Sequence, residues 1–173
     1  VDELDHALGP AEAAVTLVEY GDYECPFCGR AHVVMEEILR ALGSRLLCVF
    51  RHFPLATAHP HAELAAEAAE CAASQGKFWE MHATLFANQD ALEVEDLVGY
   101  ANGLALDTPR FARELAERRY AKRVREDFLG GVRSGVNGTP TFFIDGVRYD
   151  GSWELEPLER ALGARIARRH EAA

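Results

Sequence analysis

The sequence predicts a mixed α/β fold: a parallel strand–helix–strand unit, an all-helical insertion, then a strand hairpin and a final helix. Three observations predict it. Residues 15–20 and 46–50 are runs of β-branched and apolar side chains with a helical pattern between them. A block of further helical patterns follows the second run. Asp145-Gly146, between two short apolar runs, is a strong hairpin-turn signal.

The first twelve residues are polar, include Gly9-Pro10, and read as an arm leading into the first strand. Val15-Thr16-Leu17-Val18-Glu19-Tyr20 is that strand, and Gly21-Asp22 breaks it. Cys25-Pro26-Phe27-Cys28 then opens a helix that runs to about Leu42. Pro26 suits its first turn, where a missing N–H costs nothing, and Gly43 closes it. Leu46-Leu47-Cys48-Val49-Phe50 is continuously apolar, as in a strand covered on both faces. The strand–helix–strand unit should take a right-handed crossover. Pro54 and Pro60 mark the loop that follows.

Leu64, Ala68, Cys71 and Ala72 fall on one helical face, as do Phe78, Met81, Leu85 and Phe86, and again Val94, Leu97, Val98 and Ala101. Thr108-Pro109 reads as a helix start with a capping hydroxyl and a proline at the first position. That helix turns Phe111 and Leu115 inward, and another holds Val124 and Phe128. Residues 141–144 and 147–149 form the hairpin. A last helix, from about Leu155 to Arg169, carries Leu158, Leu162 and Ile166 on one face, with Arg165, Arg168 and Arg169 complementing its dipole. One domain over 1–173 is expected, with a core from 13–58 and 133–173 and a helical insertion at 59–132.

Length and composition agree with one globular domain. The chain has 173 residues, 49% hydrophobic and 27% charged. No apolar run approaches the ~20 residues that span a bilayer. The formal net charge of −10 opposes phosphate backbones and anionic lipid, so nucleic acid is not an expected partner. No signal peptide is visible. The compartment is cytoplasmic if none was trimmed, and periplasmic or exported if one was.

The chemistry is concentrated at Cys25 and Cys28. Two thiols separated by two residues at a helix start can close a small disulfide ring without moving the fold. The helix N-terminus offers a partial positive charge and free N–H groups, which stabilise a thiolate. Cys25, expected to face solvent at the helix tip, takes the attacking role, and Cys28, one turn in, resolves the adduct. Pro26 and Phe27 tune the pair. Phe27 offers neither charge nor hydrogen bond, and Glu24 should oppose a thiolate at Cys25. A rival reading is zinc: Cys25, Cys28 and His32 would be three ligands, with His52, His59 or His61 as the fourth. The helix start with Pro26 favours redox chemistry. No metal or organic cofactor is required for it.

The residues from Val15 to Gly29, with Gly21-Asp22-Tyr23-Glu24-Cys25-Pro26-Phe27-Cys28-Gly29 at their end, resemble the DsbA-like branch of the thioredoxin superfamily. Arg51-His52-Phe53-Pro54-Leu55 with His59-Pro60-His61-Ala62 strengthens the likeness. So do Ala65-Ala66-Glu67-Ala68 with Gln75-Gly76-Lys77-Phe78-Trp79-Glu80-Met81-His82, and Gly135-Val136-Asn137-Gly138-Thr139-Pro140-Thr141-Phe142-Phe143. The chain is also similar to the thioredoxin-like domain joined to some bacterial sodium/proton antiporters, so a membrane enters only through a fusion or tether. The resemblance implies a thioredoxin fold and thiol–disulfide exchange with cysteines of protein or peptide substrates. A redox partner must then reset the pair. Pro140 matches the family's cis-proline. Thr139 would present its backbone to a substrate strand and set its hydroxyl near the thiolate. Glu19 matches a buried acid that exchanges a proton with the resolving thiol; the plainer reading is an exposed glutamate on a strand edge. Phe27 departs from the histidine that precedes the second cysteine in the family's oxidases, which leaves the direction of electron flow open.

The other candidates read as structural. Cys48 and Cys71 read as buried, inert thiols, with a Cys48–Cys71 disulfide as the alternative. His52, His59, His61 and His82 read as loop-packing or solvated groups. Arg118, Arg119, Lys122, Arg123 and Arg125 read as a solvated basic helix face.

Overall fold

The computed structural model describes residues 1–2 and 4–171. Glu3, Ala172 and Ala173, assigned by sequence to the arm and to the end of the 133–173 segment, lie outside the described residues. The chain divides into two compact units. The first comprises Val1–Tyr20, Arg30–Arg51 and Pro140–Ala173, and the second Gly21–Gly29 and His52–Thr139.

The first unit is built on a mixed five-stranded sheet. Its strands are β1 (His6–Leu8), β2 (Val15–Gly21), β3 (Leu46–His52), β4 (Thr141–Ile144) and β5 (Val147–Tyr149), in the order β1-β3-β2-β4-β5. Helix α1 (Pro26–Leu42) connects the neighbouring strands β2 and β3, which is the expected strand–helix–strand unit. A single 3-10 turn, Gly43–Arg45, separates the helix from β3. β2 is antiparallel to β4, with Glu19 opposite Phe142, and β4 is antiparallel to β5. The hairpin turn has φ of 49° at Asp145 and 78° at Gly146, the left-handed pair that matches strand twist. Asp145 Oδ1 accepts the Thr16 N–H at 2.9 Å, which ties the turn back to β2. The apolar alternation of the sheet meets one stripe of each of two helices. Val15, Leu17, Leu46, Cys48, Phe142 and Ile144 pack with Ala31, Met35, Ile38 and Leu42 of α1 and Leu158, Leu162 and Ile166 of the last helix, Leu155–Glu171.

The amino-terminal arm differs from expectation. Its His6–Leu8 segment is β1, antiparallel to β3 with Ala7 opposite Val49. Three residues, two of them exposed, carry no alternation for a sequence pattern to reveal. Backbone pairing to β3 holds it there.

The second unit is helical: α2 (Ala62–Ala73), α3 (Phe78–Ala87), α4 (Val94–Gly103), α5 (Thr108–Ala116) and α6 (Ala121–Arg133). The carboxy-terminal helix is α7. Helix α2 is the hub and packs against the other four. Its alanines 65, 66, 68, 69 and 72 are buried, and their small size lets neighbouring helices approach closely. The cap of α5 differs from expectation. Asp107 is the capping residue, its side chain accepting the Arg110 N–H at 3.0 Å, so Thr108 and Pro109 lie inside the helix. The basic run also differs. Arg118 grips buried Glu67 at 2.6 Å and Arg123 pairs with buried Asp127, so only part of it is a solvated face. Among the described residues, no helix is long and apolar enough to cross a membrane.

Candidate active site

Pro26 is the first residue of α1, so Cys25 stands at the helix entrance and Cys28 in its first turn. The chain reaches that point through a tight bend: the Cys25 N–H donates to the Asp22 carbonyl at 3.2 Å, and the Gly29 N–H donates to the Cys25 carbonyl at 3.1 Å. The Cys25 thiol donates to the Thr139 carbonyl at 3.5 Å. Thr139 Oγ1 is buried with no hydrogen-bond partner of its own. Hydrogen bonding from the Cys28 thiol lowers the Cys25 thiol to about 5; burial opposes this, and Thr139 and the N–H groups of Cys28 and Phe27 add to the lowering. Cys28 is fully buried, and its sulfur accepts the Asp22 N–H at 3.5 Å.

Cys25 was expected to face solvent, and here the structure differs: it is 3% exposed. Its sulfur lies against the Thr139 carbonyl. The exposed groups of the motif are instead Pro26 and Phe27, the latter 52% exposed. A buried sulfur flanked by an apolar rim is the resulting geometry.

Three further groups shape the motif: Gln89, which the sequence did not single out, and His59 and His61, which it read as loop-packing or solvated. Gln89 Nε2 donates to the carbonyls of Tyr23 and Cys25, both at 2.8 Å, and so holds the bend from the loop after α3. His59 Nδ1 meets Asp22 Oδ2 at 2.7 Å. His61 Nδ1 meets Glu24 Oε1 at 2.8 Å, and the His61 N–H donates to Glu24 Oε2 at 2.7 Å. Glu24, expected to oppose the thiolate if it stays ionised nearby, has its carboxylate bonded by His61. His52 and His82 also have buried partners, Glu70 at 2.9 Å and the Tyr23 hydroxyl at 3.0 Å. The three histidines considered as a fourth zinc ligand each bond a carboxylate.

Cys25, Pro26, Phe27, Cys28 and Thr139 thus come together in the second unit. Glu19 and Pro140 belong to the first. Glu19 lies in β2, between two neighbouring strands rather than on an edge. It is 4% exposed, its Oε1 has no hydrogen-bond partner, and burial pushes its carboxyl up to about 8. Pro140 directly precedes β4. All four cysteines are free thiols. Burial, then the charge of Glu19, pushes the Cys48 thiol far up; burial, then Glu114, Glu67 and Glu70, pushes Cys71 up to about 12. Of Cys25, Cys48 and Cys71, Cys25 alone has a thiol lowered into the range where it ionises readily.

A family model described as Thioredoxin matches residues 2–164. The Na(+)/H(+) antiporter NhaA 1 of Salinispora arenicola is 50% identical over 165 residues, which are 95% of this chain and 25% of that protein. The chain spans about a quarter of the length of the curated relatives it matches. A thioredoxin-like oxidoreductase from Silicibacter pomeroyi superposes with a TM-score of 0.82 at 27% identity, covering 99% of this chain and 95% of that one. The alpha-DsbA1 of Wolbachia pipientis gives 0.87 at 21% identity, covering 99% and 96%, a likeness of fold.

Proposed function

The chain belongs to the thioredoxin family, and from that premise we propose that it is a thiol–disulfide oxidoreductase working on cysteines of polypeptides through Cys25 and Cys28. The observation that carries this reading is the Cys25 thiol, lowered to about 5 by the neighbouring Cys28 thiol. At neutral pH Cys25 is a thiolate. It attacks one sulfur of a substrate disulfide, forming a mixed disulfide and expelling the other substrate sulfur as thiolate. The Cys28 thiol loses its proton and attacks the Cys25 sulfur. The second substrate thiolate leaves, and the Cys25–Cys28 disulfide closes. Run in reverse, the same steps give a disulfide to a substrate dithiol. Stabilising the thiolate favours the reduced pair, which supports this reverse, oxidising direction. A redox partner resets the pair after each turnover.

The other residues have roles in this reading. The exposed Pro26 and Phe27 form an apolar contact for the substrate chain, and Thr139 and Pro140 hold it in extended form. Glu19, neutral until about pH 8, has the proton-exchange role that the family resemblance implies for it.

Trapping tests the proposal. A Cys28→Ser variant should accumulate a mixed disulfide with a reduced-and-reoxidised substrate protein, and Cys25→Ser should accumulate none. Equal trapping by both would overturn the assignment of roles. The reduction potential against glutathione then fixes the direction of electron flow.

The length of the antiporter relatives supports a second reading, a thioredoxin-like domain joined to a transporter that reports redox state. Turnover separates the two. An enzyme reduces insulin or oxidises a reduced protein catalytically, and a sensor does neither while still cycling Cys25 and Cys28.

A further inference from the structure

The Cys-Pro-Phe-Cys motif contains no cation, yet a loop from a distant part of the second unit brings two imidazoles to it. Asp22 and Glu24 flank the bend two residues apart, and His59 and His61, also two residues apart, meet them one to one at 2.7 Å and 2.8 Å. Asp22 is fully buried at its side chain. Its two oxygens also accept the Leu55 N–H and the Glu24 N–H, each at 2.8 Å, so the carboxylate is fixed in place. Its backbone carbonyl accepts from Cys25, and its N–H donates to the Cys28 sulfur. One residue therefore bonds His59 with its side chain and both cysteines with its backbone.

We infer that His59 is a positioning residue for the redox pair: held on Asp22, its imidazolium adds a positive charge that favours the Cys25 thiolate beyond the hydrogen bonding from Cys28. This rests on the reading of Cys25 as the nucleophile. Burial lowers the basicity of His59, but the hydrogen bond and charge of Asp22, then the charges of Cys25 and Glu24, raise it above the ordinary value. Asp22, Cys25 and Glu24 are charged groups that act on His59. Glu24 is in turn bonded by His61, whose other ring nitrogen meets Glu93 at 3.1 Å. With both histidines protonated the two flanking carboxylates are balanced. With both neutral, the bend carries two negative charges beside a sulfur that must also become negative.

Coupling between two titrating sites is reciprocal. If the imidazolium favours the thiolate, the thiolate must favour the imidazolium. His59 should therefore titrate at higher pH in the reduced protein than in the oxidised one, followed by the NMR shift of its ring protons. Identical midpoints in the two redox states overturn the proposal, and this measurement needs no variant. In His59→Gln, iodoacetamide alkylation of Cys25 at pH 5 should fall roughly fivefold, the loss of thiolate that a one-unit rise in thiol pKa from about 5 gives. The thiolate absorbance should titrate at correspondingly higher pH. A folded His59→Gln protein with an unchanged alkylation pH profile overturns the inference while leaving the function intact. A wild-type Cys25 that titrates like an ordinary peptide thiol overturns the functional reading, and this inference with it.

Discussion

In the sheet unit Glu19 lies opposite Phe142 with an oxygen that has no hydrogen-bond partner, whereas in the helical unit every buried acid faces a base. Glu67 is gripped by Arg118, Glu70 by His52 with Arg123 near, Glu114 by Arg110, Asp127 by Arg123 and Asp22 by His59. The difference teaches how one molecule uses a buried carboxyl in two ways. Without a partner, the desolvation of charge wins and the group holds its proton. With a partner, the charge is compensated, and the acid becomes a fixed point around which helices and loops are arranged. The first use suits proton exchange and the second suits positioning.

The largest effect should come from removing the unpartnered acid. A carboxyl raised from the ordinary 4.5 to about 8 binds more protons in the folded than in the unfolded chain across that interval, so it lowers stability as pH rises through it. Glu19→Gln removes this dependence. The gap between variant and wild type in urea unfolding should be near zero at pH 4.5 and grow toward pH 8, with an upper bound on the order of 5 kcal/mol. Parallel pH curves would place Glu19 in the same category as the paired acids. Arg123→Ala does the opposite, stranding a charge in the helical unit. Arg123 and its partners Asp127 and Glu70 have side chains no more than 17% exposed, and the loss should be about 3 kcal/mol. A loss within the range of a surface pair would mean that the helical interior does not depend on compensation.

Phe27→His adds a third imidazole at the redox motif, beside His59 and His61. The glutathione equilibrium should move toward the reduced pair by roughly tenfold, the equivalent of one unit in the Cys25 thiol. No movement would mean that charge at position 27 does not reach the sulfur. The smallest effect is expected at Lys122, which meets Glu126 at 3.6 Å with 88% of its side chain exposed. Lys122→Ala should leave the urea midpoint unchanged, because water screens the pair that burial would have strengthened.

The sheet, α1, the hairpin and the helical insertion were legible because each has a local signal: β-branched runs, a 3.6-residue period, Asp145-Gly146. So were Cys25 and Cys28, whose spacing and Pro26 are contiguous in the chain. The burial of Cys25 was not legible because a group its sulfur meets, the Thr139 carbonyl, lies 114 residues away in the chain. Gln89 was passed over, and the carboxylate partners of His59 and His61 went unforeseen, for the same reason. A glutamine in a loop and a His-Pro-His step have no periodicity. Their meaning depends on which backbone carbonyl or carboxylate the fold sets beside them. Asp107 was overlooked as a cap because Thr108-Pro109 offered a nearer match to the usual pattern.

Gly29 has no side chain, and a Cβ built there would land on the Gln89 amide. That amide is the brace for the bend at Tyr23 and Cys25. Positions 29 and 89 are therefore a single design choice. Anyone grafting this motif onto another scaffold, or diversifying α1 in a library, inherits the glycine along with the glutamine. A substitution at either position alone dismantles the brace while leaving both sulfurs in the chain.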